Sequence, residues 1–157
     1  MTMSRSPNIL YLHCHDAGRY VQPYGHAIPT PHLQRLAEEG VLFRQAFCVS
    51  PTCSPSRAAL LTGQYPHQNG MLGLAHRGFR LNDYRDHILH PLREAGYHSA
   101  LAGVQHGAHD VVDIGYDEIL TTDSGFDTLP RAAEAFLSRA HDRPFFLSVG
   151  FFAPHRG

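Results

Sequence analysis

Cys53 and Arg57 stand four residues apart in the run Cys53-Ser54-Pro55-Ser56-Arg57-Ala58-Ala59-Leu60-Leu61-Thr62-Gly63, which reads as a short helix opening at the cysteine. Pro55 suits the first turn, where a missing N–H costs no hydrogen bond. Ser54 can cap free amides, Ala58 to Leu61 favour helix, and Gly63 ends the run. A helix N-terminus gathers unpaired amides and the positive end of the helix dipole, so it suits an anion. Arg57, one turn in, adds a permanently charged planar fork able to grip a tetrahedral oxyanion. Cys53 thus stands beside an anion cradle. A buried cysteine at a helix start is also a common structural residue, and residue types alone leave both readings open.

Three further polar groups, His15-Asp16, His106 and His155, each follow an apolar run. Residues 9–14 read as a buried parallel strand. Thr30 caps a helix that starts at Pro31, turns Leu33, Leu36 and Ala37 to one face, and closes at Gly40. Residues 41–47 read as a second strand leading into the cysteine helix. Residues 64–80, rich in Gly, His and Asn, read as loop. A helix is expected over 86–94, with Pro91 either kinking it or moving its start. Residues 97–103 form a strand, 110–127 are irregular and acidic, 129–140 form a helix, and 145–152 carry the clearest strand signal. Strands alternating with helices predict an α/β fold with a mainly parallel sheet flanked by helices, in one unit. Sites in such sheets form beyond the carboxyl ends of the strands. That is where His15-Asp16, His106 and His155 fall, and the Cys53 helix could face the same edge.

Composition narrows the classes. The 157 residues suffice for one domain with its own core. A formal net charge of −1 makes no electrostatic case for nucleic acid or a membrane surface as partner, and the apolar runs are too short to cross a bilayer. Thirteen histidines against thirteen Lys plus Arg hint at metal or proton chemistry, although dispersed surface histidines give the same count. Three cysteines make a disulfide scaffold unlike this chain. Met1 to Ser6 is a short polar lead with no signal peptide pattern, and a cytoplasmic location is expected.

Cys-x-Pro-Ser-Arg followed by Leu-Thr-Gly resembles the signature of type I sulfatases, in the alkaline-phosphatase-like superfamily. The resemblance covers nearly the whole chain. Asn8 to Gly18 is similar to the opening sulfatase strand with its paired metal-binding aspartates. Gly103 to His106 falls at the family's Gly-Lys-x-His, and Pro154-His155 at a second active-site histidine. Pro66-His67-Gln68-Asn69-Gly70-Met71 and Asp142-Arg143-Pro144-Phe145-Phe146 are most similar to heparan N-sulfatases (sulfamidases).

The resemblance implies a sulfuric ester or sulfamate hydrolase acting on a sulfated small molecule or glycan. Cys53 would be oxidised to formylglycine by a formylglycine-generating enzyme, and Arg57, His106 and His155 would be catalytic. His15, Asp16 and residue 53 would hold a divalent metal. Two departures stand out: His15 replaces the first aspartate, and Val104 replaces the usual lysine. Calcium, the family's metal, prefers oxygen ligands, whereas imidazole suits manganese, iron or zinc. Sulfatases of this type are considerably longer, so residues 1–157 are expected to be the N-terminal portion of an incomplete catalytic domain, with association through an open sheet edge. A phosphatase or phosphonate monoester hydrolase of the same superfamily, or a non-catalytic remnant, are the alternatives.

Overall fold

The computed structural model describes residues 6–155. Residues 1–5 of the polar lead Met1 to Ser6, Arg156 and Gly157 lie outside them. Among the described residues, four strands form one parallel sheet: β1 (Ile9–His13), β2 (His98–Gly103), β3 (Glu118–Thr121) and β4 (Phe145–Gly150). Their spatial order is β1-β4-β2-β3. The helices are α1 (Pro31–Glu39), α2 (Cys53–Thr62), α3 (Pro66–Asn69), α4 (Leu89–Glu94) and α5 (Thr128–Leu137).

β4 is central, and every one of its residues is buried. Its uninterrupted apolar run follows from having both faces covered. Phe145, Leu147 and Val149 pack with Ala100 and Ala102 of β2 against Leu129 and Phe136 of α5. Phe146 faces the other way, into a cluster with Leu89 of α4, Tyr97 and Ile114. β1 is an edge strand, in register with β4 from Ile9↔Phe146 to His13↔Gly150. Leu10 and Leu12, opposite Leu147 and Val149, are half exposed, so the α5 side of this edge is open. No helix among the described residues is long and apolar enough to cross a membrane.

The structure corrects several expectations. Residues 41–47 form no strand; Val41, Phe43 and Phe47 point to solvent, Phe47 being 88% exposed. Apolar alternation alone does not make a strand where no neighbouring edge pairs with it. β3 arises instead inside the stretch read as irregular, pairing with β2 across a register shift at Leu101/Ala102. The stretch 64–80 contains α3 and folds back so that Met71 and Ala75, with Leu81 just beyond it, pack on Ala58 of α2. The helix expected from 86 starts at Leu89. Pro91 therefore falls in its first turn and costs no hydrogen bond.

Two glycines fix the carboxyl edge of the sheet. Gly103 and Gly150 are register partners. A Cβ on Gly103, which also has φ +83°, would overlap the Gly150 carbonyl oxygen. A Cβ on Gly150 would overlap the Val104 carbonyl oxygen and lie 2.6 Å from His13 Cε1. Gly103→Ala is expected to destabilise the fold by about 2–3 kcal/mol, through overpacking and left-handed strain together. Urea denaturation checks this, and an unchanged midpoint would show that the strand ends can part cheaply.

His87 supplies a second prediction. It is buried, and its Nδ1 accepts a hydrogen bond from the Leu89 N–H at 3.3 Å. Burial first, then the nearby His90, lowers its pKa from 6.5 to about 4. The unfolded chain therefore takes up this proton before the folded one does. The stability contributed by the neutral ring is complete above about pH 6.5 and is lost as pH falls towards 4. Its slope is at most about 1.4 kcal/mol per pH unit. His87→Asn, which keeps an acceptor but cannot gain a proton, should flatten the pH dependence of the urea midpoint between pH 6.5 and 4.

Candidate active site

α2 begins at Cys53, with Thr52 as an extended N-cap whose side chain makes no capping bond. Pro55 lies in the first turn, and Gly63 closes the helix at φ 69° with its N–H on the Ala59 carbonyl. Ser54 does not cap, contrary to expectation. It is 1% exposed, and its Oγ accepts from the Ala75 N–H at 3.1 Å, tying the returning 64–80 segment to the helix start. Cys53, partly buried, is left at the mouth of α2.

Beside it lies a cavity of about 290 Å³, lined by Cys53, Ser56 and Arg57 from α2, by Tyr11, His13, Cys14, His15 and Asp16 from the end of β1, and by Cys48. Arg57 bridges the two elements. Its Nη1 donates to His13 Nδ1 at 2.6 Å and its Nη2 to the Cys14 carbonyl at 3.1 Å. Its Nε is buried and has no partner among the described residues.

Backbone bonds continue past the strand ends. Phe151 N–H donates to the His13 carbonyl (2.9 Å), Val104 N–H to the Gly150 carbonyl (3.0 Å) and His15 N–H to the Ala153 carbonyl (3.3 Å). These bonds draw three histidines together. The His15 ring lies 4.5 Å from His106, edge to face, and 5.6 Å from His155, with Phe152 at 5.5 Å. His155 Nε2 is 3.8 Å from Asp16 Oδ2. Asp16 (φ 51°) and His106 (φ 56°) both adopt the left-handed region, which side chains other than glycine rarely enter. Such conformations persist where surrounding structure imposes them, often at functional sites.

Three of the rings at this edge, His13, His15 and His106, are held neutral at ordinary pH. His13 is lowered to about 3 by burial first, then by the Arg57 charge. His15 is lowered to about 4, again chiefly by burial, with Arg57, His106 and His155 adding and Asp16 opposing. His106 is lowered by burial and then Arg57. A neutral imidazole can accept a proton; a protonated one here would lose solvation beside a fixed cation.

Of the residues expected from sequence, Cys53, Arg57, His15 and Asp16 share the cavity, while His106 and His155 pack around the His15 ring. Val104 lies just past the end of β2, half-buried. The expected metal set of His15, Asp16 and residue 53 is not formed: among the described residues no three His, Cys, Asp or Glu groups converge on one ion position. Both ring nitrogens of His15 are nonetheless buried without a partner. Sequence reasoning missed His13. The available signal was a histidine inside an apolar strand, on the same face as Tyr11 and His15 by strand alternation.

The family profile described as Sulfatase matches residues 7–134. The chain belongs to the sulfatase family. It is 38% identical over 163 aligned positions to N-sulphoglucosamine sulphohydrolase of Homo sapiens, covering 98% of this chain and 32% of that protein. Its fold superposes on a protein solved in complex with its substrate D-glucosamine-2-N,6-O-disulfate, with a TM-score of 0.79 at 26% identity, covering 97% of this chain and 35% of that one. The phosphonate monoester hydrolase of Agrobacterium radiobacter shares the fold at a TM-score of 0.68, but at 20% identity that shows the fold alone. The sheet is thus part of the alkaline-phosphatase-like fold of sulfatases, and the chain spans about a third of the length of these relatives.

Ser54→Ala would leave the buried Ala75 N–H unpaired at the base of the site. A loss of about 1–3 kcal/mol is expected in chemical denaturation. Unchanged stability would show that this bond does not anchor the helix start.

Proposed function

We propose that residues 1–157 form the N-terminal portion of a sulfatase catalytic domain, which in complete form hydrolyses a sulfate ester or sulfamate on a sulfated amino sugar. The observation that carries this is Cys53 at the opening of α2, sharing one cavity with Arg57 and with the end of β1. The names of the human relative and of the bound substrate in the structural relative support the sugar class.

Cys53 is exposed enough for maturation yet fixed by its helix, which fits a formylglycine position. The aldehyde hydrate at that position would supply an oxygen nucleophile for sulfur. Arg57 orients the sulfate oxygens through its remaining N–H groups and neutralises part of their charge. The free amides at the start of α2 add to this. His106, neutral through burial, accepts the proton released at residue 53 as sulfate departs. His155 donates a proton to the leaving oxygen or nitrogen. Asp16 and His15 offer too few converging donors to hold a divalent metal by themselves, so no step is assigned to one.

Co-expression with a formylglycine-generating enzyme should convert the Cys53 thiol to an aldehyde, seen by mass spectrometry of peptides spanning residues 50–57. Cys53→Ala should abolish hydrolysis of a sulfated glucosamine by the full-length protein and leave its unfolding midpoint within about 1 kcal/mol of wild type. Activity surviving that substitution would remove the proposed nucleophile.

A further inference from the structure

We propose that His13 is a positioning residue that holds the Arg57 guanidinium in the site, through the hydrogen bond from Arg57 Nη1 to His13 Nδ1. A guanidinium only donates, so the nitrogen facing it must carry the lone pair. That places the ring hydrogen on Nε2, which lies 3.5 Å from Ser148 Oγ on β4. The ring is held by more than this pair. It stacks on Tyr11 with centroids 4.6 Å apart. It also occupies space left by Gly150, where a Cβ would lie 2.6 Å from His13 Cε1.

With the Cys14 carbonyl on Nη2 at 3.1 Å, the last residue of β1 and the one after it present two acceptors to one guanidinium. The direction of Arg57 is therefore set by the sheet, across the cavity from its own helix. A leucine or valine at position 13 would satisfy the strand equally well but offer no acceptor. The Arg57 side chain would then lose its shorter hydrogen bond, keeping the Cys14 carbonyl and the nearby Tyr11 hydroxyl, and regain rotamer freedom. The consequence for catalysis rests on the function proposed above; the hydrogen bond itself does not.

The first test is long-range ¹H–¹⁵N correlation spectroscopy on the full-length protein. His13 should show the Nε2–H tautomer, and Arg57→Ala should relax that preference. ¹⁵N relaxation of the Arg57 Nε–H should show a lowered order parameter in His13→Leu and a restored one in His13→Asn, whose side-chain oxygen falls near the place of Nδ1. A packing role alone would not separate these two variants. An Nδ1–H tautomer, or an Arg57 signal indifferent to His13→Leu, would overturn the proposal.

In the matured full-length protein, kcat/KM for a sulfated glucosamine should fall about 10- to 100-fold in His13→Leu and recover to within about 5-fold of wild type in His13→Asn. Turnover unchanged in His13→Leu, with Arg57→Ala inactive, would also overturn it. Wild-type protein without turnover would sink the sulfatase function, while the tautomer and relaxation data would still decide the positioning.

Discussion

The carboxyl edge of the sheet depends on a backbone approach that only glycine allows. Where β2 and β4 end, Gly103 and Gly150 face each other, with the Val104 carbonyl and the His13 ring filling the space that side chains would take. Close strand ends let the chain continue as a laced rim, with bonds from Val104, Phe151 and His15 running across it. That rim is short, and three of its residues are histidines whose rings then have nowhere to go but against one another. The left-handed backbone at Asp16 and His106 is the local cost of turning the chain so sharply at this edge.

Crowding rings at a rim has an electrostatic result. Burial, more than any single neighbour, keeps His13, His15 and His106 below their ordinary pKa values. Arg57 acts in the same direction on all three, and it is itself fixed by His13 and the Cys14 carbonyl. The site therefore combines one permanent, oriented cation with neutral imidazoles. Neutral rings can take and return protons during a reaction, whereas a cluster of imidazolium groups beside a guanidinium would repel and open.

Much of this was legible in the sequence, and the reasons differ by element. β4 could be read because a strand buried on both faces is apolar without interruption. α2 could be read because Pro55 and Gly63 punctuate it at both ends. The placement of His15, His106 and His155 beyond strand ends followed from the rule for parallel sheets. Residues 41–47 misled because Val41, Phe43 and Phe47 carry a strand's composition without a partner edge. β3 was hidden because its pairing with β2 is set by tertiary contact, not by an apolar pattern. Ser54 looked like a cap, since sequence does not reveal that the 64–80 segment returns to claim its hydroxyl. His13 was overlooked for a related reason: its partner Arg57 is 44 positions away in the chain.

Charge balance separates what these residues can do from what they need. Within the cavity, the Arg57 cation is offset by the Asp16 carboxylate. The start of α2 adds roughly half a positive charge from its free amides. A sulfate monoester brings one negative charge, so the described part of the site, once filled, would be roughly half a charge short of neutral. The His15 and His106 rings do not correct this, because burial and Arg57 keep them neutral, whereas the proton that His155 is proposed to donate would. Val104, just past the end of β2, adds no charge. Asp16, exposed at the rim, is the anionic group that any added positive charge would meet first.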